Sequence, residues 1–164
     1  MKISLASDTI APYLRGVADP REVYRVFRAC GFSCIDFGVG TGKLEGDVDA
    51  MATYWKEIFA DCDLSFTQAH GPGLNPLKPT ATGISPAEYM HRALRFCQVA
   101  GCPRMVVHPG AIEKNTRAEF FEKNIAFFKS LLPYAEETGV EIMIENIGTI
   151  WIRISCGRAR ICAR

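Results

Sequence analysis

Short apolar runs alternate with amphipathic stretches along this chain, and several of the runs end on a polar or acidic residue. Residues 2–7 read as a first strand. Asp19-Pro20-Arg21-Glu22 then opens a helix, with Asp19 as cap and Pro20 in the first turn. Val23, Val26, Phe27 and Cys30 recur at helical spacing as its apolar face, and Gly31 is placed to end it. A second strand is expected at 33–37 and a glycine-rich loop at 38–46. A helix at 47–60 follows, with Met51, Tyr54, Trp55, Ile58 and Phe59 on its buried side. Residues 64–69 read as a third strand. The loop at 71–83 carries Pro72, Pro76 and Pro79, and loops of that length in a compact domain are often functional.

Ser85-Pro86-Ala87-Glu88 is a capping box that opens a helix ending at Gly101. A fourth strand is expected at 104–107, closed by His108-Pro109-Gly110. Thr116-Arg117-Ala118-Glu119 is a second capping box. Its helix carries Phe120, Phe121, Phe127, Phe128, Leu131 and Leu132, with a kink expected at Pro133, and Gly139 ends it. Residues 140–144 form the fifth strand.

Strand and helix alternate strictly, which demands a parallel sheet. One unit per roughly 35 residues is the spacing of a (β/α)8 barrel of about 250 residues. The fold class read here is therefore α/β: a partial (β/α)8 TIM barrel over residues 1–148, with about five parallel strands and four helices. Residues 149–164 differ. They hold Arg153, Arg158, Arg160, Arg164, Cys156 and Cys162, no acid, and no helical stripe. We expect this tail to be non-native sequence, the product of a frameshift or gene-model error, and the chain to be a truncated barrel.

Composition narrows the picture. The chain has 164 residues, 48% of them hydrophobic, enough for one domain with a real core. Nineteen basic and eighteen acidic residues give a formal charge of +1, which offers no general attraction for nucleic acid. No signal peptide is legible, and no apolar run approaches the roughly 20 residues needed to span a bilayer. Seven cysteines without a C-x-x-C pair read as buried, reduced thiols of a cytoplasmic protein.

The candidate chemistry sits where strands end. In parallel β/α folds those ends share one face, and active sites form there. His70 precedes Gly71-Pro72-Gly73, His108 has a similar setting one unit later, and Glu145 closes a buried run. A carboxylate there is costly unless paired, hydrogen-bonded or bound to metal. Asn146 stands beside it to orient it or to bind substrate. Asp8, Asp36 and Gln68 are weaker candidates; the Phe37-Gly38 pair leaves the direction of Asp36 open. His91 lies within a helix and reads as a surface residue. Gly38-Val39-Gly40-Thr41-Gly42-Lys43 imitates a phosphate loop, but Phe37 stands where its first glycine is required and Leu44 where Ser or Thr is.

The segments FTQAHGP, MVVHPG and EIMIENIG, with the opening DPREVYRVFRACGFSCIDFG, resemble the xylose-isomerase-like TIM-barrel superfamily over about residues 1–148. That superfamily includes sugar phosphate isomerases/epimerases and the apurinic endonuclease IV family. The resemblance implies a divalent-metal-dependent sugar (phosphate) isomerase or epimerase using Mn²⁺, Mg²⁺ or Co²⁺. Glu145 matches the fifth-strand metal ligand and base. His70 and His108 match residues that contact substrate in the sugar enzymes and bind zinc in the endonucleases. The family's ligands from strands six to eight have no counterpart here. Two alternatives follow: a Zn²⁺-dependent endonuclease at abasic DNA, and an inactive remnant or half-barrel that needs a partner chain. The expected partner is a small sugar or sugar phosphate; self-association is a further expectation, membrane association is not.

Overall fold

The structure, a computed structural model, describes residues 3–145. Five parallel strands form one sheet in the order of the sequence: β1 (Ser4–Ala6), β2 (Cys34–Gly38), β3 (Ser65–His70), β4 (Arg104–Val107) and β5 (Glu141–Ile144). The helices are α1 (Ser7–Ile10), α2 (Pro20–Ala29), α3 (Val48–Asp61), α4 (Pro86–Ala100) and α5 (Arg117–Thr138). Four of them are the long connecting helices that the pattern predicts. The short α1 is additional, because Ser7 leaves the first strand and opens a helical turn.

Parallel neighbours added always on the same side need crossovers of one hand. Right-handed crossovers then put every long helix on one face of the sheet. That face is the core. Phe37 of β2 stacks on Phe96 of α4 with ring centroids 5.5 Å apart, and meets Trp55 of α3 at 5.0 Å and Phe66 of β3 at 5.9 Å. Each such pair contributes about 0.5–1.5 kcal/mol beyond its buried area. The opposite face carries none of these long helices, and it is there that the polar strand residues gather.

Helix ends follow their signals. Asp19, Asp47, Ser85 and Thr116 each accept a backbone N–H as caps, and Thr116 with Glu119 completes a reciprocal box. Gly101 and Gly139 close α4 and α5 in the left-handed conformation, at φ 76° and 69°. Pro133 does not end the helix: α5 runs through it for 22 residues, to the expected stop at Gly139. Pro133 lies on the exposed side, where the carbonyl it leaves without a partner can face water.

Several packing expectations need correction. Val26 and Cys30 are exposed, and Tyr24 is the buried residue of α2. Tyr24 meets Phe59 of α3 edge-on at 4.9 Å and Trp55 at 6.1 Å, so an aromatic contact with the next helix sets the rotation of α2. On α3, Tyr54 is likewise exposed, and on α5 so are Phe121 and Leu132. His91 is half-buried, not fully on the surface, because its ring lies against Tyr134 of α5 at 4.6 Å. The phosphate-loop look-alike forms a 3-10 turn over Thr41–Leu44, with Lys43 Nζ donating to Gly38 O and lying over the Phe37 ring. Cys34, Cys62, Cys97 and Cys102 are buried and Cys30 is exposed, all as free thiols; Cys156 and Cys162 lie outside the described residues.

Candidate functional site

The open face can be followed strand by strand through the pairing. Gly38, His70 and Val106 form one row across β2, β3 and β4, and Met143 of β5 continues it. His108 and Glu145 lie two residues further along their strands than Val106 and Met143. They therefore share that face one step closer to its C-terminal rim. The Glu145 N–H donates to Val107 O at 2.9 Å, which carries the pairing on past the end of β5.

A register shift delivers His70 to this face. Cys34 and Ile35 pair with Ser65 and Phe66, but Asp36 pairs with Gln68, so Thr67 is the extra residue of a bulge. Phe66 points into the helix layer, where it meets Phe37 and Phe59. Strict alternation from Phe66 would send His70, four residues on, to the same helix-packed side. The bulge reverses the parity. Ala69 is buried beneath the helices, while Gln68 and His70 face the open side with Asp36.

There, three ligand-type groups converge. One donor atom each from His70, His108 and Glu145 lies within 4.8 Å of the others. His108 Nε2 is 2.8 Å from Glu145 Oε2, a hydrogen bond in which the ring N–H donates. His70 Nε2 is 3.6 Å from the same oxygen, beyond hydrogen-bond reach. The two imidazole rings stand 5.8 Å apart. On its other side His70 Nδ1 lies 2.9 Å from Asp36 Oδ1, and Asp36 Oδ2 accepts from Gln68 Nε2 at 2.8 Å. Side-chain exposure rises from Asp36 at 17% to His108 at 29%, His70 at 37% and Glu145 at 48%. The cluster thus opens outward through Glu145, and Asp36 is its floor.

The loop behind His108 is held from two directions. Buried Asn124 of α5 accepts from Gly110 N at 2.7 Å and donates to Gly110 O at 3.0 Å. Asn75, from the long loop after β3, donates to Ala111 O at 2.6 Å and accepts from Leu77 N at 3.0 Å. A proline-containing loop therefore braces the segment that presents His108.

The sequence-derived candidates divide accordingly. His70, His108 and Glu145 come together. Asn146 lies outside the described residues, as does the tail at 149–164. Asp36 and Gln68 belong to the cluster more closely than their weak ranking suggested. Asp8 sits elsewhere on the rim, beside Gly38, where a Cβ would come 2.8 Å from its Oδ1. Asn124 and Asn75 were missed; a lone asparagine in an otherwise apolar helix face is the signal that could have marked the former.

Two nitrogens and one carboxylate oxygen on a single accessible face suit a divalent cation of borderline character, such as Zn²⁺ or Co²⁺, better than the harder Mg²⁺ or Mn²⁺.

Parallel β/α units with all the long helices on one face, and ligand-type side chains at the strand ends of the other, define a protein of the (β/α)8 class. The chain belongs to the xylose isomerase-like TIM barrel family, whose model matches residues 24–157. No curated protein matches it by sequence. Among solved structures it is similar to a D-tagatose 3-epimerase-like protein, with a TM-score of 0.66 and 19% identity, over 98% of this chain and 62% of that one. A sugar phosphate isomerase/epimerase from Parabacteroides distasonis matches with a TM-score of 0.63 and 15% identity, over 87% and 50%. The IOLI protein with a bound zinc atom matches with a TM-score of 0.58 and 16% identity, over 88% and 51%. The chain thus spans between half and two thirds of the length of these relatives. No helix among the described residues is long and apolar enough to cross a membrane.

Proposed function

We propose that this chain carries the metal-binding part of a divalent-metal-dependent sugar or sugar phosphate isomerase/epimerase. The observation that carries the reading is the convergence of His70, His108 and Glu145 on one face within 4.8 Å. The names of the similar structures, two of them sugar isomerase or epimerase proteins, support the substrate class.

In this reading Glu145 would hold the cation through Oε2, the oxygen that faces both histidines. His70 and His108 would complete the donor set of these residues through Nε2. When bound, a divalent cation supplies Lewis acidity to a sugar carbonyl and its neighbouring hydroxyl. Glu145, the most exposed of the three, is the carboxylate we assign to removing the proton alpha to that carbonyl. Asn146, next to Glu145 in the sequence, is the substrate contact in this reading.

The test is proton exchange. The protein is loaded with Mn²⁺ or Co²⁺ and incubated in D₂O with a panel of ketoses, aldoses and their phosphates. Deuterium entering the carbon alpha to the carbonyl, and lost in Glu145→Gln, is the expected result. A metal-loaded protein that washes deuterium into none of the panel rejects the isomerase reading. Exchange that persists undiminished in Glu145→Gln rejects Glu145 as base.

A further inference from the structure

We infer that Asp36 is a positioning residue that fixes the tautomer of His70, so that His70 Nε2 presents a lone pair to the metal position. The inference rests on the metal reading above for its purpose, but not for its physical content.

An ionised carboxylate only accepts hydrogen bonds. Asp36 Oδ1 lies 2.9 Å from His70 Nδ1, so that nitrogen carries the proton. In the neutral ring the lone pair is then on Nε2. This is the less common tautomer of a free imidazole, and something must hold it. Asp36 is itself held. Its other oxygen accepts from Gln68 Nε2 at 2.8 Å, and its side chain is the least exposed of the cluster. Both contacts depend on the bulge at Thr67, which brings Gln68 and His70 to the same face as Asp36.

The geometry on the far side of the ring agrees. His70 Nε2 and Glu145 Oε2 are 3.6 Å apart and make no hydrogen bond. Two facing acceptors at that separation repel unless a cation lies between them. His108, whose Nε2 sits at 2.8 Å from the same oxygen, donates to it instead. The two histidines therefore differ: His70 is set for ligation before any metal arrives, whereas His108 must give up the Nε2 proton to ligate. Outer-sphere partners of this kind typically matter by about 10–100-fold in metal affinity.

The chain has three histidines, His70, His91 and His108, so their ring signals can be assigned by single substitution. The experiment is long-range proton–nitrogen NMR of the imidazoles in the metal-free protein at a pH where they are neutral, followed by Co²⁺ titration. Wild-type protein should show His70 protonated on Nδ1. Asp36→Ala should move His70 toward the Nε2–H form, leave the His91 ring signals in place, and weaken Co²⁺ binding by about 10–100-fold. Asp36→Asn, which keeps size and shape, serves if the alanine variant does not fold and should also shift the tautomer balance. A His70 protonated on Nε2 in the wild type, or the same tautomer in the wild type and in a folded Asp36 variant, overturns the inference. So does unchanged Co²⁺ affinity in a variant whose tautomer has shifted. A wild-type protein that binds no Co²⁺ while its His70 tautomer depends on Asp36 defeats the metal reading and leaves the tautomer assignment standing.

Discussion

Asn124 holds Gly110 by both of its backbone groups, accepting from the N–H at 2.7 Å and donating to the carbonyl at 3.0 Å. The contact ties the middle of α5 to the loop that begins with His108. The position of that histidine is thus set in part from the helix layer. Asn124→Ala should cost about 2–4 kcal/mol, because it leaves buried groups of Gly110 without partners. Chemical denaturation measures this, and unchanged stability would show that water replaces the amide.

Gly110 is also crowded. A Cβ there would run into Asn75 Oδ1 and come 2.8 Å from Leu77 Cγ and 3.0 Å from the Leu77 backbone nitrogen. The amide end can swing away, whereas the backbone nitrogen cannot. Gly110→Ala should destabilise by about 1–3 kcal/mol. Adding Asn75→Ala should restore only part of the loss, since the Leu77 backbone clash remains. Full restoration would place the conflict at Asn75 alone.

Metal binding should stabilise the fold, because the three donor groups converge only in the folded chain. Zn²⁺ at about 100 times its Kd should add about 2.7 kcal/mol and raise the melting temperature, and a chelator should reverse the shift. In Glu145→Gln the shift should disappear. A rise of the same size in that variant would locate the ion elsewhere.

Alkaline stability should depend on Tyr24. Burial, reinforced by the nearby Cys62, pushes its phenol above the ordinary value of 10.0. The unfolded chain therefore releases this proton at lower pH than the folded one does. Tyr24's contribution is whole below about pH 10 and is lost as pH rises further, toward the raised folded value. Tyr24→Phe should flatten the fall in stability above pH 10 relative to wild type. Parallel curves in urea titrations across that range would show that the phenol ionises without unfolding.

Much of the scaffold is legible in local pattern, and the reasons are local. The fourth strand, 104–107, was expected where β4 lies, because Gly101 ends the helix before it and His108-Pro109-Gly110 ends the strand. Four caps mark the starts of the long helices, since Asp, Ser and Thr side chains satisfy the free N–H groups of the first turn. The face of α2 was misread for an equally physical reason. Its apolar spacing at Val23, Val26, Phe27 and Cys30 was plain, but the Tyr24 ring finds Phe59 and Trp55 on a neighbouring helix, and that contact turns Val26 and Cys30 outward.

By itself the sequence determined the strand–helix alternation, the parallel sheet that alternation requires, and three chemical groups at strand ends, His70, His108 and Glu145. Tertiary structure alone decided that Asp36 and Gln68 join them and that Asn124 braces the loop behind. A single strand's alternation tells which residues share a face, but not where a partner strand slips by one residue. The slip at Thr67 inverts the alternation within β3, and only pairing with β2 records it. His70 consequently turns from the helix layer to the open face, and Asp36 gains the imidazole it holds.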